Sequence, residues 1–171
     1  MTDRPDVAAS PSASELAAVS ELWKRERRTL VTAFAGRSML PSIAPGQEVT
    51  VQCGVEPQIG DVVMFLRDGQ VGVHRLVARL REEVLTWGDA NPLPDEPADP
   101  QRLIGVIKNA PSYALSGYRR ALLAWLGAST GDPALVRRRL QLAYRLRGAV
   151  AAGPFGFMHK ALRAARRGLE Q

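Results

Sequence analysis

Three short blocks of the 171-residue chain carry side chains able to do nucleophilic chemistry. The first is Gly36-Arg37-Ser38-Met39-Leu40-Pro41, with Gly46 downstream. The second is Gly60-Asp61-Val62-Val63, leading into Val73-His74-Arg75-Leu76-Val77. The third is Gly88-Asp89-Ala90-Asn91, followed by Asp95 and then Ile104-Gly105-Val106-Ile107. A serine hydroxyl is a weak nucleophile at neutral pH and needs a neighbouring base to take its proton. Ser38 follows a strand-like stretch and a glycine, in a turn that can expose its hydroxyl. The chain has only two histidines, His74 and His159, and one cysteine, Cys53. A multi-histidine metal site, a Cys-rich zinc site and an internal disulfide are therefore excluded. His74 is the one base candidate within a block, and His159 reads as a surface residue far from any of them. A neutral imidazole acting as base needs its second nitrogen held by an acceptor. Asp89 and Asp95 are the two candidates. Asp89 in Gly-Asp-Ala-Asn is also a good turn former.

These residues need elements to position them. Ser12 and Glu15 form a capping-box pattern ahead of Leu16, Val19, Leu22 and Trp23 at helical spacing, and Lys24, Arg25, Arg27 and Arg28 suit a helix C-terminus. The spacing predicts a helix over about 13–28. Strands are predicted at Leu30–Ala35, Glu48–Cys53, Val62–Leu66, Val71–Leu80, Glu83–Trp87 and Leu103–Ile107. Gly60-Asp61 and Asp68-Gly69 mark turns between them. On Glu48–Cys53, Val49 and Val51 share a face, and Cys53 reads as a small buried hydrophobe. Arg75 reads as either a partner for a carboxylate or a cover for the sheet. No βαβ alternation appears, so the expected core is all-β. Beyond Pro111 the pattern turns helical. Leu115, Tyr118, Leu122, Trp125 and Leu126 make one stripe. Asp132-Pro133 is an N-cap with proline at the first helical position. Leu135, Val136, Leu140, Ala143 and Leu146 make a second stripe stopped by Gly148, and a last helix is expected from about Phe155. The division expected is an arm and short helix over 1–28, a β catalytic core over 29–110, and a basic amphipathic helical extension over 111–171.

The ordered blocks resemble those of the S24/S26 serine peptidases, a superfamily that includes type I signal peptidases, related maturation proteases and LexA-like self-cleaving repressors. The resemblance spans about residues 30–108. It implies a mainly β fold, with a signal-peptidase/LexA-like β-sheet core between the short N-terminal helix and the α-helical C-terminal extension. The family's Ser-Met-x-Pro motif matches Ser38-Met39-Leu40-Pro41 and makes Ser38 the nucleophile. Many bacterial members carry a lysine base in the second block. His74-Arg75-Leu76 is closer to the His-Arg-Val of the archaeal and endoplasmic-reticulum branch, which makes His74 the general base. In that branch a second aspartate follows Gly-Asp-x-Asn six positions after the first, as Asp95 follows Asp89. Asp95 is the favoured residue to orient His74, and Asp89 is the alternative or secondary partner. Gly36 falls at a substrate-binding position, and so does Met39, whose side chain either packs or lines the substrate cleft. Gly36 also stands where signal peptidases often place a Ser or Thr that donates to the oxyanion, so only the Ser38 backbone N–H is left from this loop. The resemblance implies an endopeptidase that cleaves a precursor protein or peptide and needs no metal or cofactor. An inactive interaction module and a LexA-like self-cleaving regulator are the alternatives. No Ala-Gly or Cys-Gly cleavage dipeptide precedes Ser38 apart from Ala35-Gly36 of the motif itself.

Charge bears on the tail alone. The net charge is +6. Residues 1–118 hold 12 basic and 15 acidic side chains, and residues 119–171 hold 11 basic side chains with only Asp132 and Glu170 opposing them. The net −3 body thus carries a net +9 tail. The longest charge-free stretches of the tail, Ala121–Gly131 and Gly148–Met158, are about half the ~20 apolar residues a spanning helix needs. The first twenty residues lack the basic start and apolar run of a secretory signal. The expected location is the cytoplasm, with peripheral contact at the inner face of an anionic membrane through the basic helices as an option. Packing of those helices on the core or on each other ranks first, a membrane surface second and nucleic acid last.

Overall fold

The computed structural model describes residues 12–111 and 115–152. Helix α1 (Ala13–Arg25) leads into β1 (Thr29–Ala33), β2 (Glu48–Cys53), β3 (Val62–Arg67), β4 (Gln70–Arg79), β5 (Val84–Trp87) and β6 (Leu103–Ile107). Helices α2 (Gly117–Leu126) and α3 (Pro133–Ala152) follow. The strands form a six-stranded sheet in the order β1-β2-β6-β3-β4-β5, and every pairing in it is antiparallel. The fold is a mainly β body with helices at both ends of the described chain.

Local chemistry explains most boundaries. Ser12 caps α1, accepting from the Glu15 backbone N–H, and the Glu15 side chain reaches back to the Ser12 N–H. The helix stops at Arg25, three residues short of the predicted end. Glu26 is its C-cap, and Arg27 takes a left-handed φ of 50°, which turns the chain toward β1. The β3–β4 hairpin turns through Asp68 (φ 50°) and Gly69 (φ 73°), as the Asp-Gly pair predicts. Strand β2 alternates as predicted, with Val49, Val51 and Cys53 buried. These side chains join Met39, Ile43, Met64 and Ile104 in one core cluster, against which Trp23 of α1 is packed.

The second large cluster lies beneath the C-terminal helices. Leu123 and Leu126 of α2 and Val136 and Leu140 of α3 pack against Val77, Leu85 and Trp87 of the sheet. The predicted α2 stripe is therefore rotated. Tyr118 and Trp125 are exposed, and the inward face runs through positions 119, 122, 123 and 126, the i, i+3, i+4, i+7 spacing of a buried helix face. The charged member of that face, Arg119, disguised it in the sequence. Leu146 is likewise exposed rather than part of the α3 core stripe. Asp132 caps α3 through the Ala134 N–H. Gly148 does not stop α3, which continues to Ala152. One glycine costs a helix about 1 kcal/mol against alanine but leaves its backbone donor in place. The predicted last helix from Phe155, and His159 with it, lie outside the described residues. No helix among the described residues is long and apolar enough to cross a membrane.

Candidate functional site

Ser38 lies in the irregular stretch between β1 and β2. Two side chains that follow it, Met39 and Ile43, are fully buried in the first core cluster and pin this loop to the sheet. The Ile43 N–H donates to the Met39 carbonyl at 3.0 Å. Of the two placements expected of Met39, packing or lining the cleft, the structure has the first: it is fully buried in the core cluster and does not line the neighbouring groove. Gly36 does line that groove.

His74 projects from the middle of β4, opposite Val63 of β3, with Phe65 tilted against its ring at 5.6 Å between centroids. Its Nε2 lies 3.0 Å from Ser38 Oγ, and its Nδ1 lies 2.5 Å from Asp95 Oδ2. A carboxylate is acceptor-only, so Nδ1–H donates to Asp95. That leaves Nε2 as the acceptor facing the Ser38 hydroxyl. Three residues separated by 36 and 21 positions in the chain thus form one continuous serine–imidazole–carboxylate line. The His74 and Asp95 side chains are only 15% and 13% exposed, so water competes weakly for these bonds.

Asp95 is itself held in place. Its backbone N–H donates to the Thr86 carbonyl at 2.8 Å, and the Thr86 hydroxyl donates to Oδ2 at 2.6 Å. Arg67 Nη1 stands 3.8 Å from Oδ1. The adjacent Pro94 carbonyl accepts from the Tyr144 hydroxyl of α3 at 3.2 Å. Burial, and next the negative charge of Asp95, push the Tyr144 phenol up from its ordinary range.

Asp89 occupies a different place. It does not meet His74. Its side chain is 2% exposed and is gripped by Arg75, whose Nε and Nη2 donate to its two oxygens at 3.1 and 2.7 Å. Ser42 donates to Oδ2 at 2.5 Å, and Arg119 of α2 donates to Oδ1 at 3.1 Å. Arg75 is fully buried, and its Nη1 donates to the carbonyls of Gly60 (2.5 Å) and Pro111 (3.0 Å). The turn held this way, Gly88 to Asn91, rests directly against the serine and the histidine. The Ala90 N–H donates to the Ser38 carbonyl at 2.7 Å. A Cβ on Gly88 would sit 2.9 Å from His74 Nε2 and 2.7 Å from Asn91 Nδ2, so a larger residue here must push the imidazole or the Asn91 side chain aside.

Beside Ser38 opens a groove of about 580 Å³. Its lining is mostly apolar and includes Trp23, Leu30, Phe34, Met64 and Val73, with Ser38 and His74 in its wall. It runs along β1, which ends the sheet and leaves Val31 59% exposed. A strand with one unpaired edge beside an apolar groove can accept an extended peptide by main-chain pairing.

Of the residues singled out from sequence, Ser38, His74 and Asp95 come together, Asp89 supports the adjoining turn, and Gly36 borders the groove. Cys53 is fully buried away from them, and burial pushes its thiol up. Sequence reasoning missed Thr86, Arg67 and Arg119 and left Arg75 unassigned. A fully buried arginine needs an acid, and Asp89 in its glycine-bounded turn was the available signal. Among the described residues, no three His, Cys, Asp or Glu side chains gather as a metal-binding group. No family model matches the chain, and no curated protein sequence matches it.

Proposed function

We propose that the protein is a serine endopeptidase of the signal-peptidase-like kind, acting on an extended segment of a precursor protein or peptide. The observation that carries this reading is the Ser38 Oγ–His74 Nε2–Nδ1–Asp95 Oδ2 line, at 3.0 and 2.5 Å, opening on an apolar groove beside a free sheet edge. The substrate pairs with β1 and presents its scissile carbonyl to Ser38. Ser38 Oγ attacks as His74 Nε2 takes its proton, and Asp95 stabilises the imidazolium and holds its orientation. The Ser38 backbone N–H donates to the oxyanion, with no side-chain donor from Gly36. His74 returns the proton to the leaving amine, which departs and leaves an acyl-enzyme. Water, deprotonated by the same imidazole, then releases the acyl group. No step calls for a metal or cofactor.

The complete line argues against an inactive interaction module of the same fold, because a binding role alone does not require a serine, an imidazole and a carboxylate in hydrogen-bond sequence. A self-cleaving regulator would use the same line on its own chain. The test is a fluorophosphonate probe applied to the wild-type chain, Ser38→Ala and His74→Ala. The expected result is covalent labelling of the wild type alone. Equal labelling of all three proteins would sink the assignment.

A further inference from the structure

The C-terminal helices do more than cover the sheet. Arg119 projects from the first turns of α2 back into the turn that supports Ser38 and His74. Its Nη1 donates to Asp89 Oδ1 at 3.1 Å, and its Nη2 donates to the Gly88 and Asp89 carbonyls at 3.1 and 2.6 Å. The guanidinium also lies 4.6 Å from the centroid of the Trp87 ring, a cation–π contact at the end of β5. Arg119 thus spans the Trp87, Gly88 and Asp89 segment from outside the sheet, and its side chain is only 13% exposed. From the body, Arg75 of β4 and Ser42 of the Ser38 loop also hold Asp89. The turn they hold has two direct contacts with the chemistry, the Ala90 N–H on the Ser38 carbonyl and the close approach of Gly88 to His74 Nε2.

We propose that Arg119 is a positioning residue, a role that rests on the serine peptidase reading: the α2 helix sets the Gly88–Ala90 turn, and through it the Ser38–His74 geometry. A peptidase-like β body without α2 would keep Ser38, His74 and Asp95 but lose the outer clamp on the turn. A planar, forked guanidinium suits the task because it meets a carboxylate and two carbonyls while stacking on indole. A lysine ammonium is a point charge that cannot do all of these together.

The experiment compares wild type, Arg119→Gln, Arg119→Lys and Leu140→Ala in the full chain. Leu140 is buried in the core cluster beneath the helices, which also holds Trp87, but it does not reach Asp89 or the Gly88 carbonyl as Arg119 does, so its variant reports what general loosening of the helical layer does. Two readouts are taken: the second-order rate of fluorophosphonate labelling, and amide hydrogen exchange at Ala90. In Arg119→Gln, labelling is expected to slow at least tenfold and Ala90 exchange to rise at least tenfold. Arg119→Lys should recover part of both, and Leu140→Ala should hold both within about threefold. Wild-type behaviour of Arg119→Gln in both readouts overturns the proposal, as does an equal loss in Leu140→Ala. If Ser38→Ala labels as fast as wild type, the peptidase reading fails. The exchange at Ala90 then still decides whether Arg119 sets the turn.

Discussion

Replacing Asp95 by Asn removes one charge, changes the shape of the site little and makes a sharp demand on its chemistry. In the wild type, Asp95 Oδ2 takes hydrogen bonds from both His74 Nδ1 (2.5 Å) and Thr86 Oγ1 (2.6 Å), while Oδ1 faces Arg67 Nη1 at 3.8 Å. An asparagine amide must choose which end faces which neighbour. The Arg67 guanidinium selects the carbonyl end, so the NH2 group turns toward His74. It then donates to Nδ1 and forces the other tautomer, with the proton on Nε2 pointing at Ser38, where it cannot act as base. The charge is lost as well. Unit charges about 4 Å apart interact by ~4 kcal/mol at an effective dielectric of ~20. Loss of that support for the imidazolium slows the reaction by about a thousandfold. The wrong tautomer brings the expected loss to about 10^4-fold, the loss seen when the aspartate of a serine triad becomes asparagine with its geometry intact. The assay is the labelling rate of Ser38 by a fluorophosphonate, with nitrogen-15 shifts of the His74 ring read in parallel. A labelling rate within tenfold of wild type, or an Nδ1-protonated imidazole in the variant, overturns this role for Asp95. So does a larger loss in Asp89→Asn than in Asp95→Asn at equal helix and sheet content, which would return the orienting role to Asp89.

Three further outcomes follow from the same contacts. Gly88→Ala puts a methyl group 2.9 Å from His74 Nε2, so labelling should fall about a hundredfold in a protein whose circular dichroism is unchanged; full activity would mean the turn is free to move. Arg75→Met removes the fully buried guanidinium from Asp89, which Arg119 and Ser42 still reach, and from the Gly60 and Pro111 carbonyls; it should cost about 3 kcal/mol, a fall in Tm of roughly 6–12 °C for a chain of this size, read by thermal unfolding, and a Tm within about 2 °C of wild type contradicts this. Cys53, fully buried and with its thiol pushed up by that burial, should resist iodoacetamide in the native protein at pH 8 and react fully in denaturant, and stoichiometric native modification would contradict its placement.

Much of the body was legible in sequence because its signals are local. Alternating Val49, Val51 and Cys53 give β2, Asp68-Gly69 gives the hairpin, and Ser12 with Glu15 gives the start of α1. The pairing of Ser38 with His74 and the preference for Asp95 over Asp89 rest on the resemblance of the ordered blocks to the S24/S26 peptidases, since the residues alone leave both aspartates open, and Ser38, His74 and Asp95 do meet. What escaped was set by tertiary contact. Arg119 reads as one more cation of a basic tail, yet it turns inward because Asp89 and two carbonyls need donors there, and this rotates α2 away from the stripe of Tyr118 and Trp125. Met39 reads as either packing or lining the cleft, and only its burial with Ile43 decides for packing beneath the loop that bears Ser38. The +9 of the tail likewise hid unequal roles: Arg119 and Arg137 are paired with Asp89 and Glu83, whereas Arg120, Arg138, Arg145 and Arg147 are exposed.

The role proposed for Ser38, the nucleophile of a serine peptidase, is tested most directly by peptide mapping by mass spectrometry after reaction with a fluorophosphonate. One adduct per chain, carried by the peptide that contains Ser38 and lost in His74→Ala, is the predicted result. An adduct on another residue, or no adduct under conditions where the protein is folded, contradicts it.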